Sequence, residues 1–284
     1  MNIALQNHYE NTAFTSAKLI CKSSKTITEE VLKSRNRNNK IGYGSEGIVY
    51  KIPNTNYCVK FFHKIKTKIS EKWTRDISEK EKINHILAKF GKKIKIMKYL
   101  PGKSLEWDIP DEVYDLPQSS YKRLLKQITN ANNCGMYFDH MPANIIYNPQ
   151  KKTLPAIDFY EGTSDDLRCY QPYTQVFECL KTKDKLNNSK LGNKLLNIAL
   201  KEFLQPQNSK IYTDRLDITR MITKIRFSQD NPRDENFDKI QKMMMHISIT
   251  KQHENFGEIN KEKLLKQAKQ LKELIKSTFP SEKS

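Results

Sequence analysis

Two compact apolar runs interrupt an otherwise helical pattern in the middle of the chain. The runs NIIYN (144–148) and LPAIDFY (154–160) are separated by the polar turn Pro-Gln-Lys-Lys. Short apolar runs on either side of a turn are typical of two paired strands. The sequence therefore predicts a β-hairpin inside a mainly helical region that begins near residue 117.

Three polar side chains near these runs form a set with a defined chemistry. Asp139 and Asn144 are separated by four residues that include a proline, and Asp158 lies in the second run. A carboxylate such as Asp139 can orient a hydroxyl group and accept its proton, and Asn144 and Asp158 offer oxygen ligands to the Mg²⁺ ions that neutralise a triphosphate. This spacing is less expected by chance than a lone acidic residue.

A glycine-rich turn lies between two predicted strands in the first half of the chain. The segment GYGSEGIV (42–49) fits the pattern GxGxxGxV and is followed, after a polar turn, by the β-rich run YCVKFF. Backbone N–H groups of such a loop can approach phosphate oxygens, but three nearby glycines also occur in plain hairpin turns. The residues that we assign to a predicted phosphate-covering loop are Gly42, Tyr43, Gly44, Ser45, Glu46, Gly47 and Val49.

Lys60 lies in the second strand of this hairpin. If its side chain points inward, it needs an anionic partner to offset its desolvation, whereas an edge lysine that faces solvent needs none. Residues 70–90 carry apolar side chains near helical spacing and predict a helix that ends at Gly91. On that helix we expect Glu79 to pair with Lys60, with Glu81 as the alternative if the helix is rotated.

In this order, the glycine-rich loop, strand lysine, helix glutamate, Asp-x4-Asn segment and Asp-Phe pair resemble the eukaryotic-type protein kinase superfamily. The resemblance covers roughly residues 38–165. It implies ATP and Mg²⁺ as cofactors, with Asp139, Lys60 and Glu79 as catalytic residues and Asn144 and Asp158 as metal ligands. Beyond the loop, the residues implied to bind ATP are Lys60, the gatekeeper Met97, and the hinge residues Lys98, Tyr99 and Leu100.

The resemblance also implies the fold class, which is α+β. We expect a bilobal protein-kinase-like fold with a small β-rich N-lobe (38–100) and a mainly helical, atypical C-lobe (101–284), and ATP in the cleft between them. Residues 1–37 are expected to form a loosely packed extension with a helix near 27–34. Further helices are predicted at about 173–182, 189–204, 211–226, 234–248 and 260–277.

Several positions depart from the family pattern. Tyr137-Phe138 stand where His-Arg usually precede the catalytic Asp, Met141 replaces a common lysine, and Tyr160 replaces the glycine of Asp-Phe-Gly. Control by activation-loop phosphorylation is therefore not expected. Such reduction resembles the small effector kinases that bacterial pathogens inject into host cells, which predicts a host protein as substrate and the cytosol, bacterial or host, as location.

Two alternative functions stay open at this point. A pseudokinase would keep the fold as a binding module, and the departures at Tyr137-Phe138, Met141 and Tyr160 favour it. A small-molecule kinase of the aminoglycoside or choline phosphotransferase type would share the Asp-x4-Asn and Ile-Asp-Phe segments.

The chain is strongly basic, with 50 Lys and Arg against 32 Asp and Glu and a net charge of +18. This charge either attracts an acidic activator, such as a protein, inositol phosphate or anionic lipid, or simply solvates the surface. We find no specific nucleic-acid motif. The five cysteines form no CxxC pair, which favours a reducing compartment, and no apolar run is long enough for an integral membrane segment. The basic amphipathic run 261–276 either packs on the core or lies on an anionic membrane.

Overall fold

The structure is a computed structural model and describes residues 19, 22–63, 72–106, 108–161, 172–203, 239–240, 242–247, 266–267, 269–271, 273–274 and 277. The chain divides into two compact units, Met1–Pro101 and Gly102–Ser284. This division lies one residue from the expected boundary between the lobes.

In its described residues, unit 1 is built on one antiparallel sheet of six strands in the order β1-β2-β3-β6-β5-β4. The strands are β1 (Lys40–Tyr43), β2 (Gly47–Lys51), β3 (Tyr57–Phe62), β4 (Trp73–Thr74), β5 (Ile86–Phe90) and β6 (Ile94–Lys98). The polar turn between β2 and β3 contains Asn54 at φ 56°, a left-handed conformation that asparagine tolerates. The predicted hairpin of β2 and β3 is confirmed.

One face of this sheet is covered by an N-terminal helix, α1 (Ser24–Ser34), which Ser23 caps by accepting a hydrogen bond from the backbone N–H of Thr26. Ile27 and Val31 of α1 are buried in the same apolar cluster as Val59 and Ile96 of the sheet. The helix predicted near 27–34 is confirmed. It belongs to the core of unit 1, so the expectation of a loosely packed extension is wrong for this helix.

The helix predicted over 70–90 is wrong for the residues described there. These residues form β4, a five-residue helix, α2 (Glu79–Ile83), and β5. Ser78 starts α2 through a capping box with Glu81, and His85, at φ 60°, lies beyond its last turn. In β5 the buried residues Ile86 and Ala88 alternate with more exposed ones, a period of two that our helical assignment overlooked.

Where it is described, unit 2 is mainly helical, and its residues up to 203 contain two short strand pairs. The helices in this part are α3 (Asp111–Tyr114), α4 (Gln118–Asn133), α5 (Pro172–Leu180) and α6 (Lys185–Phe203). The strand pairs are β7 (Lys103–Ser104) with β9 (Ile146–Tyr147), and β8 (Met136–Phe138) with β10 (Phe159–Glu161). Buried side chains of α4 and α5, including Tyr121, Leu125, Tyr173 and Phe177, form much of the core.

The α+β class, with a β-rich first unit and a mainly helical second unit, is confirmed. The predicted hairpin after Asn144 is also confirmed, through backbone pairing of Ile145 with Ala156 and of Asn148 with Thr153. Helices near 173–182 and 189–204 are present, whereas the helix predicted at 211–226 lies outside the described residues.

The predicted helices at 234–248 and 260–277 are helical where they are described. Leu271 of the basic amphipathic run is fully buried, which favours packing on the core over a membrane surface. Among the described helices, none combines the length and apolar character needed to span a membrane.

Candidate functional site

The strand pair β8–β10 brings Asp139 and Asp158 together. Phe138 lies directly opposite Phe159, so the residue after β8 and the residue before β10 are neighbours. The backbone N–H of Asp139 lies 3.4 Å from the carbonyl oxygen of Asp158. Asp158 has a φ of 63°, a left-handed conformation that aspartate adopts more readily than most residues.

Asn144 joins this pair from the short 3₁₀ turn Pro142–Asn144. Its Nδ2 donates to the carbonyl oxygen of Asp139 at 3.0 Å and to Oδ2 of the same residue at 3.1 Å. Its own carbonyl oxygen accepts from the N–H of Ile157 at 2.7 Å. The three predicted residues of unit 2 therefore form one hydrogen-bonded network, in which Oδ1 of Asn144 is the amide atom suited to bind a cation.

This network fits a Mg²⁺ ion that is shared with a phosphorylated ligand. The backbone contact between Asp139 and Asp158 places two carboxylate-bearing residues at one end of the strand pair, where a cation can be shared. Magnesium prefers hard oxygen ligands and is usually held by one or two carboxylates together with phosphate oxygens. Within the described residues, no three His, Cys, Asp or Glu side chains group into a metal site.

The departures from the family pattern have physical reasons in unit 2. Tyr137 and Phe138 are buried in the core as part of β8, an environment that a charged Arg would not occupy without a partner. Tyr160 packs against Tyr137 with ring centroids 5.0 Å apart. Met141 remains 39% exposed beside Asp139. The methionine side chain has no positive charge that could stabilise a phosphate, unlike the lysine common at this position in the family.

Three of the residues predicted to face ATP, Val49, Lys60 and Met97, lie on one face of the sheet of unit 1, opposite to α1. Val49 is directly opposite Lys60, and Cys58 is directly opposite Met97. Side chains alternate along a strand, so Lys60 and Cys58 point away from Val59, which packs in the core cluster with α1. This arrangement gives Val49, Lys60 and Met97 a common surface.

Lys60 is paired with Glu46 of the glycine-rich loop. Its Nζ lies 2.6 Å from Oε2 of Glu46, and the Lys60 side chain is only 20% exposed. The hydrogen bond and positive charge of Lys60 hold the pKa of the Glu46 carboxyl below its usual value. Lys60 therefore has the anionic partner that its partial burial requires.

The expected pairs of Lys60 with Glu79 or Glu81 are both wrong in this structure. Glu79 pairs with Lys82 at 2.6 Å, and its side chain is 78% exposed. Glu81 pairs with Lys89 at 2.9 Å. The physical reason is that α2 is a single short turn capped at Ser78, whereas the β1–β2 loop presents Glu46 directly to Lys60.

The glycine-rich loop is held at its C-terminal side. The N–H of Gly44 donates to the carbonyl oxygen of Gly47 at 3.0 Å, and the N–H of His63 donates to that of Glu46 at 2.9 Å. A Cβ added at Gly47 would lie 2.2 Å from the carbonyl oxygen of Phe61, whereas one added at Gly44 would meet nothing within 4 Å. Gly42 and Tyr43 belong to β1, and Ser45 lies exposed in the turn.

The residues predicted to form the hinge make backbone hydrogen bonds within unit 1. The N–H of Lys98 donates to the carbonyl oxygen of His85 at 2.9 Å, and that of Tyr99 donates to Asn56 at 2.8 Å. The ammonium of Lys51 lies 3.9 Å from the centroid of the Tyr99 ring. Leu100 is half-buried at the end of the unit.

Sequence reasoning missed two residues of this surface and the ion-pair role of a third. It placed Glu46 in the loop but not as the partner of Lys60, and it did not consider Cys58 or Lys95. Burial raises the pKa of the Cys58 thiol to about 12, so this cysteine stays protonated and unreactive. The strand alternation of YCVKFF and IKIMK was the signal that could have placed Cys58 and Lys95 on the face of Lys60.

Comparisons with known proteins include a weak similarity to a solved structure. No protein-family model matches the chain, and no curated protein matches it. Among solved structures, the chain is similar to the pseudokinase domain of BIR2, an immune regulator of the RLK/Pelle family. The identity is 14% and the TM-score 0.31, over 89% of this chain and 86% of that chain. A similarity at this level supports no inference about activity.

Proposed function

We propose that the chain is an ATP-dependent protein kinase that transfers the γ-phosphoryl group to a Ser or Thr hydroxyl of a protein, with Tyr as a further acceptor. The observation that carries this proposal is the hydrogen-bonded network of Asp139, Asn144 and Asp158 in unit 2. It combines a proton acceptor, an amide that orients it, and a second carboxylate for a cation.

Asp139 is the proposed base. The amide of Asn144 fixes its carboxylate through Oδ2 and its backbone through the carbonyl oxygen. A carboxylate held in this way can orient the acceptor hydroxyl and take its proton as the oxygen attacks the γ-phosphorus. Positioning and charge neutralisation supply the rate in such transfers, and no covalent enzyme intermediate is required.

Asn144 and Asp158 are the proposed magnesium ligands. The amide Oδ1 of Asn144 and the carboxylate of Asp158 are hard oxygen donors. The bound cation would neutralise charge on the phosphates of ATP.

Unit 1 supplies the proposed contacts to the nucleotide. Lys60 would exchange its ion pair with Glu46 for phosphate oxygens of ATP. The backbone N–H groups of the loop 42–47 would cover the phosphates. Met97 and residues 98–100 would contact the base. The shared face of Val49, Lys60 and Met97 supports this assignment.

For the biological role, we propose an effector kinase that acts on host proteins. The support is the resemblance to reduced effector kinases, together with the burial of Tyr137 and Phe138 in place of the family's His-Arg pair. Without that arginine, the chain lacks the residue that binds a phosphorylated activation loop in the family.

A second candidate is a pseudokinase that binds an acidic partner. The exposed Met141 beside the network favours it, because this position lacks the phosphate-stabilising cation common in active kinases.

Transfer of labelled γ-phosphate from Mg·ATP separates the two candidates. The purified chain is tested for autophosphorylation and with generic protein substrates and host lysate. Asp139→Asn and Asp158→Asn are the test variants, and Asp108→Asn, an exposed carboxylate of the same unit, is the matched control. Label that disappears in both test variants and persists in the control supports the kinase. Nucleotide binding without transfer in any mixture supports the pseudokinase.

A further inference from the structure

Three lysines form a row across the sheet of unit 1, which we call the lysine row. Lys60 of β3 is directly opposite Lys95 of β6, and Lys95 is directly opposite Lys89 of β5. Directly opposite residues project from the same face, and like charges at such positions destabilise a sheet. The row is therefore an unfavourable arrangement that anions must offset.

The two outer lysines have carboxylate partners. Lys60 pairs with Glu46 at 2.6 Å, and Lys89 is held by both oxygens of Glu81 at 2.9 and 3.1 Å. Within the part of the chain that the structure describes, no carboxylate forms an ion pair with Lys95. The central charge of the row thus depends on more distant carboxylates.

Lys95 and Lys60 converge on one aromatic ring. Their ammonium nitrogens lie 5.0 and 4.9 Å from the centroid of Phe62, so they are no more than about 10 Å apart. Lys95 is partly buried, and burial followed by the charge of Lys60 holds the pKa of Lys95 below its usual value. An anion that reaches both ammonium groups would relieve this repulsion.

We infer that Lys95 is a second phosphate-binding lysine beside Lys60, and that Glu46 is an internal counter-ion that a polyphosphate chain displaces. This inference rests on the proposed function, since it assigns the anion to the triphosphate of the nucleotide. A polyphosphate carries several negative charges within a short span, which matches two ammonium groups on neighbouring strands. The row also shares its face with Val49 and Met97, where the nucleotide is proposed to bind.

Lys89 provides a matched control on the same face. It is one strand further from Lys60 and is occupied by Glu81 through two hydrogen bonds. If a ligand binds specifically to Lys60 and Lys95, replacement of Lys89 should leave its affinity unchanged. If the ligand is only attracted to basic surface, replacement of Lys89 should lower its affinity as much as replacement of Lys95.

The test is calorimetric titration of the full chain with Mg·ATP, inorganic tripolyphosphate, adenosine and a polyglutamate peptide. The variants are Lys95→Gln, Lys95→Arg, Lys89→Gln and Lys60→Gln. We expect Lys95→Gln to lose about tenfold in affinity for ATP and tripolyphosphate, the effect of one charge-assisted hydrogen bond, with adenosine binding unchanged. Lys95→Arg should keep the affinity within about threefold because the charge remains, and Lys89→Gln within about twofold.

Thermal melting controls for folding. Lys95→Gln removes a like-charged neighbour, so it should melt at the wild-type temperature or above it. Unchanged ATP and tripolyphosphate affinity in Lys95→Gln alongside a loss in Lys60→Gln would overturn the inference and leave the kinase proposal intact. Equal losses of ATP affinity in Lys95→Gln and Lys89→Gln would also overturn it. So would a result in which Lys95→Gln weakens the binding of polyglutamate but not that of ATP or tripolyphosphate. If phosphate transfer fails but Lys95→Gln still loses ATP affinity, the kinase proposal fails and the inference stands.

Discussion

Replacement of Gly47 by alanine tests whether the glycine-rich loop serves the fold or a ligand. A Cβ at this position would lie 2.2 Å from the carbonyl oxygen of Phe61, 3.0 Å from its carbonyl carbon and 3.2 Å from Cα of Phe62. All three are backbone atoms of β3, so no side chain can rotate away. The sheet must shift near Lys60, or β2 and β3 must separate there.

The expected cost follows from this clash. Inserting a methyl group into a close-packed site costs about 1–3 kcal/mol when neighbours shift. For a unit of roughly 100 residues, each kcal/mol lowers the melting temperature by about 4–8 °C. Gly47→Ala should therefore melt at least about 4 °C below the wild type in differential scanning calorimetry.

Gly44→Ala is the matched control in the same loop. A Cβ there meets nothing within 4 Å, so its melting temperature should match that of the wild type. If the loop covers phosphates, Gly44→Ala should still weaken Mg·ATP binding, because the added methyl group obstructs close approach of the backbone. A Gly47→Ala protein that melts like the wild type would refute the packing argument, and a Gly44→Ala protein with unchanged ATP affinity would remove Gly44 from the proposed site.

Two further changes address the ion pair of the loop and the network of unit 2. Glu46→Gln should raise ATP affinity by up to about fivefold, since an exposed ion pair contributes at most about 1 kcal/mol and Lys60 no longer exchanges partners. The pKa of Glu46 is lowered in the folded chain, so any stability from the pair is present above the ordinary glutamate pKa and is lost as pH falls through the folded value. Melting curves of the variant and wild type should converge in acid, and a difference that persists there would contradict this assignment. Asn144→Ala should reduce phosphate transfer by at least about 100-fold, with smaller effects on nucleotide affinity measured without metal, because the carboxylate of Asp139 loses its orienting donor. Transfer at the wild-type rate would exclude that role.

Short-range sequence patterns correctly predicted the parts of the fold that form between residues close together in the chain. The hairpin after Asn144 and the β2–β3 hairpin are each closed by a short polar turn, which identifies paired strands without knowledge of the rest of the chain. The network of Asp139, Asn144 and Asp158 forms on and around such a hairpin, so its residues could be assembled from the sequence alone.

The region 72–90 shows where sequence reasoning failed. Its apolar residues fit a helical spacing on average, but Ser78 starts a helix that does not extend beyond Asn84, and Ile86 then begins a strand. The capping serine and the period of two in β5 were both present in the sequence. They were outweighed by the spacing of apolar residues over a longer window, which mixes three different elements.

The lysine row could not be predicted in this way because it depends on long-range pairing. Lys95 meets Lys60 only after β6 pairs with β3, and the register of those strands is set by burial of Val59 against Ile96. In contrast, Glu46 and Lys60 are close in one hairpin, because the pairing of Gly47 with Phe62 places Glu46, just before β2, beside the end of β3. Their ion pair was accessible to a register argument that we did not make.

The position of Glu46 has a consequence for how the proposed site could respond to ligand. A lysine whose counter-ion comes from a separate helix requires that helix to be in place, so movement of the helix can control the site. Here the counter-ion belongs to the loop that would cover the phosphates, and Glu81 of α2 is committed to Lys89. Exchange of Glu46 for a phosphate then needs only rotation of a side chain that is 61% exposed. We therefore expect nucleotide binding to alter the order of the loop 42–47 and to leave α2 unchanged, which amide hydrogen exchange with and without Mg·ATP would measure. Protection gained in α2 but not in the loop would show that the helix, and not Glu46, responds to the nucleotide.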